Sequence, residues 1–249
     1  MSPARLQLIN LRKSFGATAV LADISLSVQP GEFVSILGPS GAGKSTILQL
    51  LTGAATPDCG QMLLDGAPLS PSSHPFAFMP QGDALMPWRR IIDNATLGLQ
   101  VQGMSRKAAR ARVEPLFAEF GLAGFERHYP VQLSGGMRQR AALLRTAVQE
   151  RAMLLLDEPF GALDALTRAQ MQRWLADMRA RHRWTVLLIT HDVREAVLLS
   201  DRIYVLSHRP ARVARQFIVP LAHPRPALAS PALAAIEADI MQTLLYPED

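Results

Sequence analysis

The segment 38–45, Gly-Pro-Ser-Gly-Ala-Gly-Lys-Ser, fits the pattern G-x-x-x-x-G-K-[ST]. The compact apolar run Phe33 to Leu37 precedes it, and the helix-like stretch Thr46 to Thr52 follows it. This order predicts a strand, a loop of small residues and a helix, which is half of a βαβ unit. In that context the backbone N–H groups of the loop and the helix N-terminus are expected to surround phosphate oxygens.

Two further apolar runs predict the rest of a parallel sheet. Met153 to Leu156 and Val186 to Ile189 have the length and the unalternating composition of strands that are buried on both faces. Between them, Ala165 to His182 carries apolar residues at helical spacing and supplies the crossover that parallel strands need. The core is therefore predicted to be α/β with a mostly parallel sheet.

The remaining segments predict one domain over residues 1–249 with several parts. We expect an antiparallel β-subdomain plus the phosphate loop at about 5–80, where apolar and polar residues alternate loosely at the start. An inserted helical subdomain is expected at about 88–135 because its apolar residues recur at helical spacing. The rest of the catalytic core is expected at about 136–220, and a proline-rich linker with a terminal helix at 221–249.

Composition excludes several classes of protein. With 249 residues and 49% hydrophobic residues, the chain can bury a sizeable core. Cys59 is the only cysteine, so no intrachain disulfide is possible, and we expect it in a loop. No run approaches the roughly 20 apolar residues of a membrane-spanning helix, and the start lacks the apolar core of a signal peptide, so a cytoplasmic location is expected.

The net charge of +5 does not predict a nucleic-acid partner, because the basic residues are scattered and many sit beside acids. The densest basic cluster contains Arg106 and Arg110, which share a helix face through their spacing of four residues. We expect that face to be solvated.

Adjacent carboxylates follow one of the predicted buried strands. Asp157 and Glu158 come after Met153 to Leu156, at the sheet edge where ligands of α/β folds gather. Asp157 suits the coordination shell of Mg²⁺, and Glu158 could orient and polarise an attacking water. Lys44 is expected to reach the β- and γ-phosphates of a nucleotide, and Ser45 to ligate Mg²⁺.

A family resemblance becomes specific at Leu133-Ser134-Gly135-Gly136-Met137-Arg138-Gln139, the segment called the signature segment below. It resembles the signature sequence of ATP-binding-cassette (ABC) ATPases, and it lies upstream of the Asp-Glu pair as in that family. The resemblance covers nearly the whole chain and implies a P-loop NTPase core, ATP and Mg²⁺ as ligands, and a homodimer of cassettes in the ATP-bound state. In the family this segment faces the γ-phosphate that the opposite subunit holds.

Other positions are similar to family positions one by one. Gln81 resembles the glutamine of the magnesium and water network, and His191 resembles the switch histidine on the γ-phosphate. Asp164, in Ala-Leu-Asp, resembles the aspartate that couples the two sites, and Phe15 resembles the aromatic residue that stacks on adenine. The resemblance implies catalytic Lys44, Gln81, Glu158 and His191; magnesium ligands Ser45, Gln81 and Asp157; and nucleotide-binding Phe15, Gly38, Pro39, Ser40, Gly41, Ala42, Gly43, Lys44, Ser45, Thr46, Ser134, Gly135, Gly136 and Asp164.

The segment after Gln81 resembles one branch of the family. Gly82-Asp83-Ala84-Leu85-Met86-Pro87-Trp88 is similar to the importers of nitrate, sulfonates, taurine and thiamine precursors. This implies integral-membrane permease subunits as partners, an extracytoplasmic solute-binding protein, and a peripheral position on the cytoplasmic face of the inner membrane. The sequence leaves open an exporter or lipid-extraction ATPase, and also a soluble mechanical ATPase with no membrane partner.

Overall fold

A computed structural model describes residues 4–70, 75–223, 225 and 231–246 of the chain. This part of the chain forms an α/β domain with two sheets. The strands are β1 (Leu6–Phe15), β2 (Thr18–Val28), β3 (Phe33–Leu37), β4 (Cys59–Leu64), β5 (Ala67–Pro68), β6 (Phe76–Met79), β7 (Met153–Asp157), β8 (Val186–Thr190), β9 (Arg202–Leu206) and β10 (Val213–Ile218). The helices are α1 (Lys44–Leu51), α2 (Ile91–Ala95), α3 (Leu97–Val101), α4 (Arg106–Val113), α5 (Leu116–Glu119), α6 (Gly135–Ala147), α7 (Ala165–His182), α8 (Val193–Leu199) and α9 (Pro231–Leu245), with a short 3₁₀ turn at Pro130–Gln132.

The central sheet has the strand order β10-β9-β3-β8-β7-β6, and only its edge pair β9–β10 is antiparallel. Every residue of β3 and β8 is buried, which explains why these strands are continuous apolar runs with no alternation. Because β3, β7 and β8 are parallel neighbours, their carboxyl ends lie at one edge, where residues 38, 158 and 191 follow them. The predicted α/β class with a mostly parallel sheet is confirmed.

A second sheet, with the order β2-β1-β4-β5, is antiparallel. Its inner face carries Leu6, Leu8 and Ile24, which are fully or almost fully buried and pack in one cluster with the apolar side of α1. The sequence expectation of a loop at Cys59 was wrong. Cys59 is exposed but begins β4 opposite Arg12, and its strand was missed because the run Cys59–Leu64 has little apolar alternation.

Helices α2 to α6 follow β6 and precede β7 along the chain, and they form a helical layer. Val113 and Phe117 are buried in this layer. The basic face is solvated as expected, with the Arg106 side chain 63% exposed and that of Arg110 39% exposed, but its ion pairs were not predicted. Arg106 and Arg110 both donate to the carboxylate of Asp93, which is only 6% exposed. Burial alone would raise the pKa of Asp93, but the hydrogen bonds from the two arginines outweigh burial and lower that pKa. The basic pair therefore fastens α4 to α2.

The carboxyl-terminal helix α9 packs on the edge of the central sheet. Its Leu233 and Ile240 are buried in a cluster with Val197 of α8 and Phe217 of β10. The predicted linker falls in part on residues 224 and 226–230, which lie outside the described residues. Among the described residues, no helix is long and apolar enough to cross a membrane.

Candidate active site

The phosphate loop connects the end of β3 to the first residue of α1. Gly43 precedes that helix with φ +94°, a left-handed conformation that glycine adopts without steric cost. A Cβ at Gly43 would lie 2.7 Å from Cδ2 of Leu21 and 3.0 Å from Cγ1 of Val20. Position 43 therefore requires glycine both for its backbone conformation and for the close approach of β2.

The side chain of Lys44 is buried inside this loop. Its Nζ donates to the carbonyl oxygens of Gly38 at 2.7 Å and Pro39 at 2.9 Å. Burial lowers the pKa of Lys44, and the nearby charges of Glu158 and Asp157 oppose that shift. The ammonium group is thus fixed close to two carboxylates and to the N-terminus of α1, an arrangement suited to a bound phosphate chain with its counter-ion.

The two predicted carboxylates have different environments. Asp157 is the last residue of β7, and burial, reinforced by Glu158 and opposed by Lys44, raises its pKa to about 6. Glu158 follows with φ +43°, in the left-handed region that costs a non-glycine residue about 1–2 kcal/mol. Its backbone N–H donates to the carbonyl of Ile189 at 2.9 Å, which ties this strained residue to the end of β8.

The structure brings three of the predicted catalytic residues together around this carboxylate. Nε2 of Gln81 donates to Oε2 of Glu158 at 3.2 Å, and Nδ1 of His191 lies 3.1 Å from Oε1. Gln81 follows β6, Glu158 follows β7 and His191 follows β8, so three adjacent parallel strands supply the cluster. A carboxylate held by a neutral amide and an imidazole is oriented as a hydrogen-bond acceptor for a water.

Sequence reasoning missed the arginines that hold the loop after Gln81. Arg138 donates from Nε to Oδ2 of Asp83 at 3.0 Å, and Arg145 donates to the carbonyl oxygens of Asp83 and Ala84 at 2.8 and 2.6 Å. Arg138 and Arg145 lie two turns apart on the same side of α6. That spacing was the only signal in the sequence, because their partners are more than 50 positions away along the chain.

The signature segment leads into α6, and its glycines pack against the loop 162–164 and the start of α7. Ser134 is the N-cap of α6, and its Oγ accepts from the N–H of Met137 at 3.3 Å. A Cβ at Gly135 would lie 3.2 Å from Cδ2 of Leu163, and one at Gly136 would lie 3.0 Å from Cγ2 of Thr167. The glycines therefore let the first turn of α6 rest against the loop 162–164 and the start of α7.

Two predicted nucleotide-binding residues stand apart from the catalytic cluster. Asp164 is the N-cap of α7, and its carboxylate accepts from the N–H of Thr167 at 3.0 Å. Hydrogen bonds from the side chain and then the backbone of Thr167 lower the pKa of Asp164. Phe15 ends β1 with 47% of its surface exposed, and Nζ of Lys13 lies 5.4 Å from the ring centroid. Within the described residues, the hydrogen bonds of Ser134 and Asp164 are to their own helices.

A phosphate loop of this form, with an Asp-Glu pair and a histidine on neighbouring strand ends, defines a phosphate-loop ATPase. The signature segment at a helix N-terminus narrows the class further. The ABC transporter family matches residues 21–161, and the chain belongs to that family. It binds ATP and hydrolyses it.

Comparison with known proteins gives long matches. Aliphatic sulfonates import ATP-binding protein SsuB 3 of Pseudomonas syringae pv. tomato is 43% identical over 236 residues, which are 95% of this chain and 84% of that protein. Taurine import ATP-binding protein TauB of Burkholderia pseudomallei is 46% identical over 198 residues, which are 80% of this chain and 76% of that protein. Among solved structures, the dimeric post-hydrolysis state of the ATP-binding cassette MJ0796 bound to ADP and Pi matches with a TM-score of 0.73 and 29% identity, covering 87% of this chain and all of that one.

Proposed function

We propose that this chain is the ATP-hydrolysing subunit of an importer for small organic sulfonates such as taurine. The observation that carries the ATPase part of the proposal is Glu158, held by Gln81 and His191 beside the phosphate loop. The solute class rests on the names of the relatives, which are 43–46% identical. Solute selectivity would reside in the partner subunits.

In the proposed reaction, Glu158 accepts a proton from the attacking water while Lys44 and His191 stabilise charge on the transferring phosphoryl group. Glu158 suits the role of general base because its two oxygens already have fixed partners and its backbone is anchored to β8. The backbone N–H groups of residues 38–46 would hold the phosphates, and the exposed ring of Phe15 would stack on adenine.

Ser45, Gln81 and Asp157 are the residues that would hold Mg²⁺. A hydroxyl, an amide oxygen and one carboxylate fit Mg²⁺, which is usually bound by one or two protein carboxylates plus phosphates and waters. The raised pKa of Asp157, about 6, reflects a buried carboxylate beside a second one, an arrangement that a divalent cation would stabilise in its ionised form. When bound, the ion would neutralise charge on the β- and γ-phosphates.

The working unit would be a pair of chains. Ser134, Gly135 and Gly136 form a capped helix start whose hydrogen bonds leave the catalytic cluster of their own chain untouched. In a face-to-face pair, this segment and Asp164 would complete the nucleotide site of the partner. A solved relative in the family is dimeric, which supports this arrangement.

The membrane partner would be a permease, served by an extracytoplasmic solute-binding protein, with this chain peripheral on the cytoplasmic face of the inner membrane. Trp88 is 73% exposed and lies at the start of the helical layer. An exposed aromatic residue is a favoured anchor at protein interfaces. The domain division proposed from the sequence puts this helical part, at about 88–135, between the β-subdomain and the remaining core.

The ATPase mechanism is tested by Glu158→Gln, which keeps the size of the side chain and removes its basicity. We expect hydrolysis to fall by about 10²–10⁴-fold while equilibrium binding of a fluorescent ATP analogue is retained. Glu114→Gln is the matched control because Glu114 is exposed at the end of α4. Unimpaired hydrolysis in Glu158→Gln would remove Glu158 from the role of general base.

The importer role is tested by purifying the tagged chain from gently solubilised native membranes. We expect a multi-span permease to accompany it, and taurine with its binding protein to raise the ATPase rate of the reconstituted complex. Recovery of the chain without any membrane protein would overturn the transport role and leave the ATPase assignment intact.

A further inference from the structure

Arg168, in the first turn of α7, connects two loops of the site. Its Nη2 donates to the carbonyl oxygen of Leu163 at 2.9 Å, and its Nη1 lies 3.8 Å from Oδ2 of Asp192. Leu163 belongs to the loop 162–164, and Asp192 follows His191 directly. One guanidinium group therefore spans the loop before α7 and the turn that carries the histidine of the catalytic cluster.

The turn on the Asp192 side is tightly hydrogen-bonded. Oδ1 of Asp192 caps α8 by accepting from the N–H of Glu195 at 3.1 Å, and the N–H of Asp192 donates to Oγ1 of Thr190 at 3.0 Å. Oγ1 of Thr190 donates in turn to Oε2 of Glu195 at 3.1 Å. Because these bonds fix the backbone on both sides of His191, a displacement of Asp192 would carry the imidazole with it.

The loop on the Leu163 side touches the signature segment. Cδ2 of Leu163 sits where a Cβ at Gly135 would be only 3.2 Å away, and Thr167 approaches Gly136 in the same way. Leu163 is also buried, so its position follows that of α6. A shift of the first turn of α6 would therefore reach the carbonyl group that Arg168 binds.

Around Arg168, one hydrogen-bond donor and one acceptor have no partner in the described part of the chain. Nε of Arg168 and Oε1 of Glu195 are both buried, and neither has a hydrogen-bond partner among the described residues. The positive charge of Arg168 also acts on the carboxyl group of Glu195. Buried polar atoms without partners are uncommon in folded proteins, and they permit a second hydrogen-bonding arrangement without a new desolvation cost.

We infer that Arg168 is a positioning residue through which the signature segment of a chain controls His191 of the same chain. In the proposed pair, the signature segment serves the nucleotide of the partner, whereas His191 serves the nucleotide of its own chain. Arg168 thereby makes hydrolysis at one site depend on closure at the other. This inference rests on the proposed function.

The test compares Arg168→Gln with Arg173→Gln, a control on the same helix whose side chain is exposed. For Arg168→Gln we expect the rate of ATP hydrolysis to fall about tenfold while the affinity for a fluorescent ATP analogue stays within about twofold. Arg173→Gln should match the unmodified chain in both measurements. An Arg168→Gln variant with the full hydrolysis rate would overturn the inference.

A double-mutant cycle separates positioning from a general structural effect. If Arg168 acts through Asp192, Arg168→Gln and Asp192→Asn should each lower the rate, and the combined variant should be little slower than the slower single variant. If the two single reductions in rate multiply in the combined variant, Arg168 does not act through Asp192. Arg168→Lys keeps the positive charge but loses the planar guanidinium with its two Nη donors, so it should lose less activity than Arg168→Gln. It replaces Arg168→Gln in the test if that variant does not fold.

The two proposals fail in different ways. If the unmodified chain hydrolyses ATP and Glu158→Gln does not, the proposed mechanism stands whatever Arg168→Gln does. If Glu158→Gln hydrolyses ATP at the full rate, the proposed cluster is wrong and the role of Arg168 falls with it.

Discussion

The helices α1 and α6 both begin at glycine-rich segments, but their first turns are built differently. The start of α1 has a left-handed Gly43 in place of a capping side chain, and a buried Lys44 beside two carboxylates. The start of α6 has the side-chain cap Ser134, and its Gly136 packs closely against Thr167 of α7. Either helix start can bind an anion in principle.

The two helix starts differ in the role proposed for them. The start of α1 belongs to the catalytic site of its own chain, whereas the start of α6 would complete the nucleotide site of the partner. Around α1, one chain supplies the cation, the proposed metal ligands and the proposed base, so the chemistry is assembled within a single fold. Around α6, the cap Ser134 bonds within its own helix, and Gly135 packs against Leu163, whose carbonyl oxygen accepts a hydrogen bond from Arg168. Variants at the two helix starts should therefore fail in different measurements.

The largest effect is expected at α1. Lys44→Ala removes the only side-chain cation in the phosphate loop and the side-chain donor to the carbonyl oxygens of Gly38 and Pro39. We expect both ATP binding and hydrolysis to be lost, with hydrolysis reduced at least about 10³-fold. Equilibrium binding and a phosphate-release assay measure the two effects. Retained affinity in this variant would contradict the proposed role of Lys44.

At α6, Ser134→Arg should lose hydrolysis but keep nucleotide binding by the single chain. A bulky cation at an exposed helix start would obstruct the face-to-face pair without touching residues 38–46. We expect the rate to fall about 10²-fold and the ATP-dependent dimer to disappear in size-exclusion chromatography with the Glu158→Gln background. A closed dimer in the variant would show that α6 does not face the partner.

A glycine-to-alanine change at each helix start tests how the two starts differ. Gly43→Ala must adopt φ +94° with its Cβ 2.7 Å from Leu21, so we expect weaker ATP binding by about tenfold or more. Gly136→Ala has no positive φ, and its Cβ would meet the methyl group of Thr167 at 3.0 Å and the side chain of Met171 at 3.8 Å, an ordinary van der Waals distance. We expect ATP affinity within about twofold for Gly136→Ala, because the better helix propensity of alanine offsets part of the crowding.

The sequence predicted the buried elements well and the long-range side-chain links poorly. β3 and α7 have the predicted bounds, Phe33–Leu37 and Ala165–His182, because full burial produces apolar runs and regular spacing. β4 and β6 were missed since short, partly exposed strands have weak patterns. The order of motifs along the chain predicted which residues would gather at the sheet edge, and those roles stay predictions.

The arginine links could not be predicted, for a physical reason. A surface arginine looks the same in sequence whether it is solvated or bound, and its partner is set by the packing of distant elements. Arg106, Arg138 and Arg168 each find an acceptor that only the folded chain defines. Spacing on a helix indicates which arginines share a face, but it does not indicate what lies opposite that face.

The last prediction concerns stability rather than catalysis, at Glu195, which lies under the catalytic edge and has no counterpart at the start of α6. Burial, reinforced by Asp192 and Glu158 and opposed by Thr190 and Arg168, raises the pKa of Glu195 to about 8. The unfolded chain would release this proton near the ordinary value of 4.5, so the folded state binds more protons between these limits. The stabilisation from this group is complete below about pH 4.5 and declines as the pH rises to about 8.

Glu195→Gln removes that titration and should flatten the dependence of stability on pH. Between pH 5 and about pH 8 we expect the unmodified chain to lose about 3–4 kcal/mol more stability than the variant, or roughly 6–16 °C in melting temperature. Thermal melts across this range measure the difference, with Glu114→Gln as the exposed control. Parallel curves for all three proteins would mean that Glu195 is ionised throughout in the folded state. The pH dependence that remains would then come from other groups with shifted pKa values, among them Asp157 beside Lys44, whose pKa is raised in the same sense by burial.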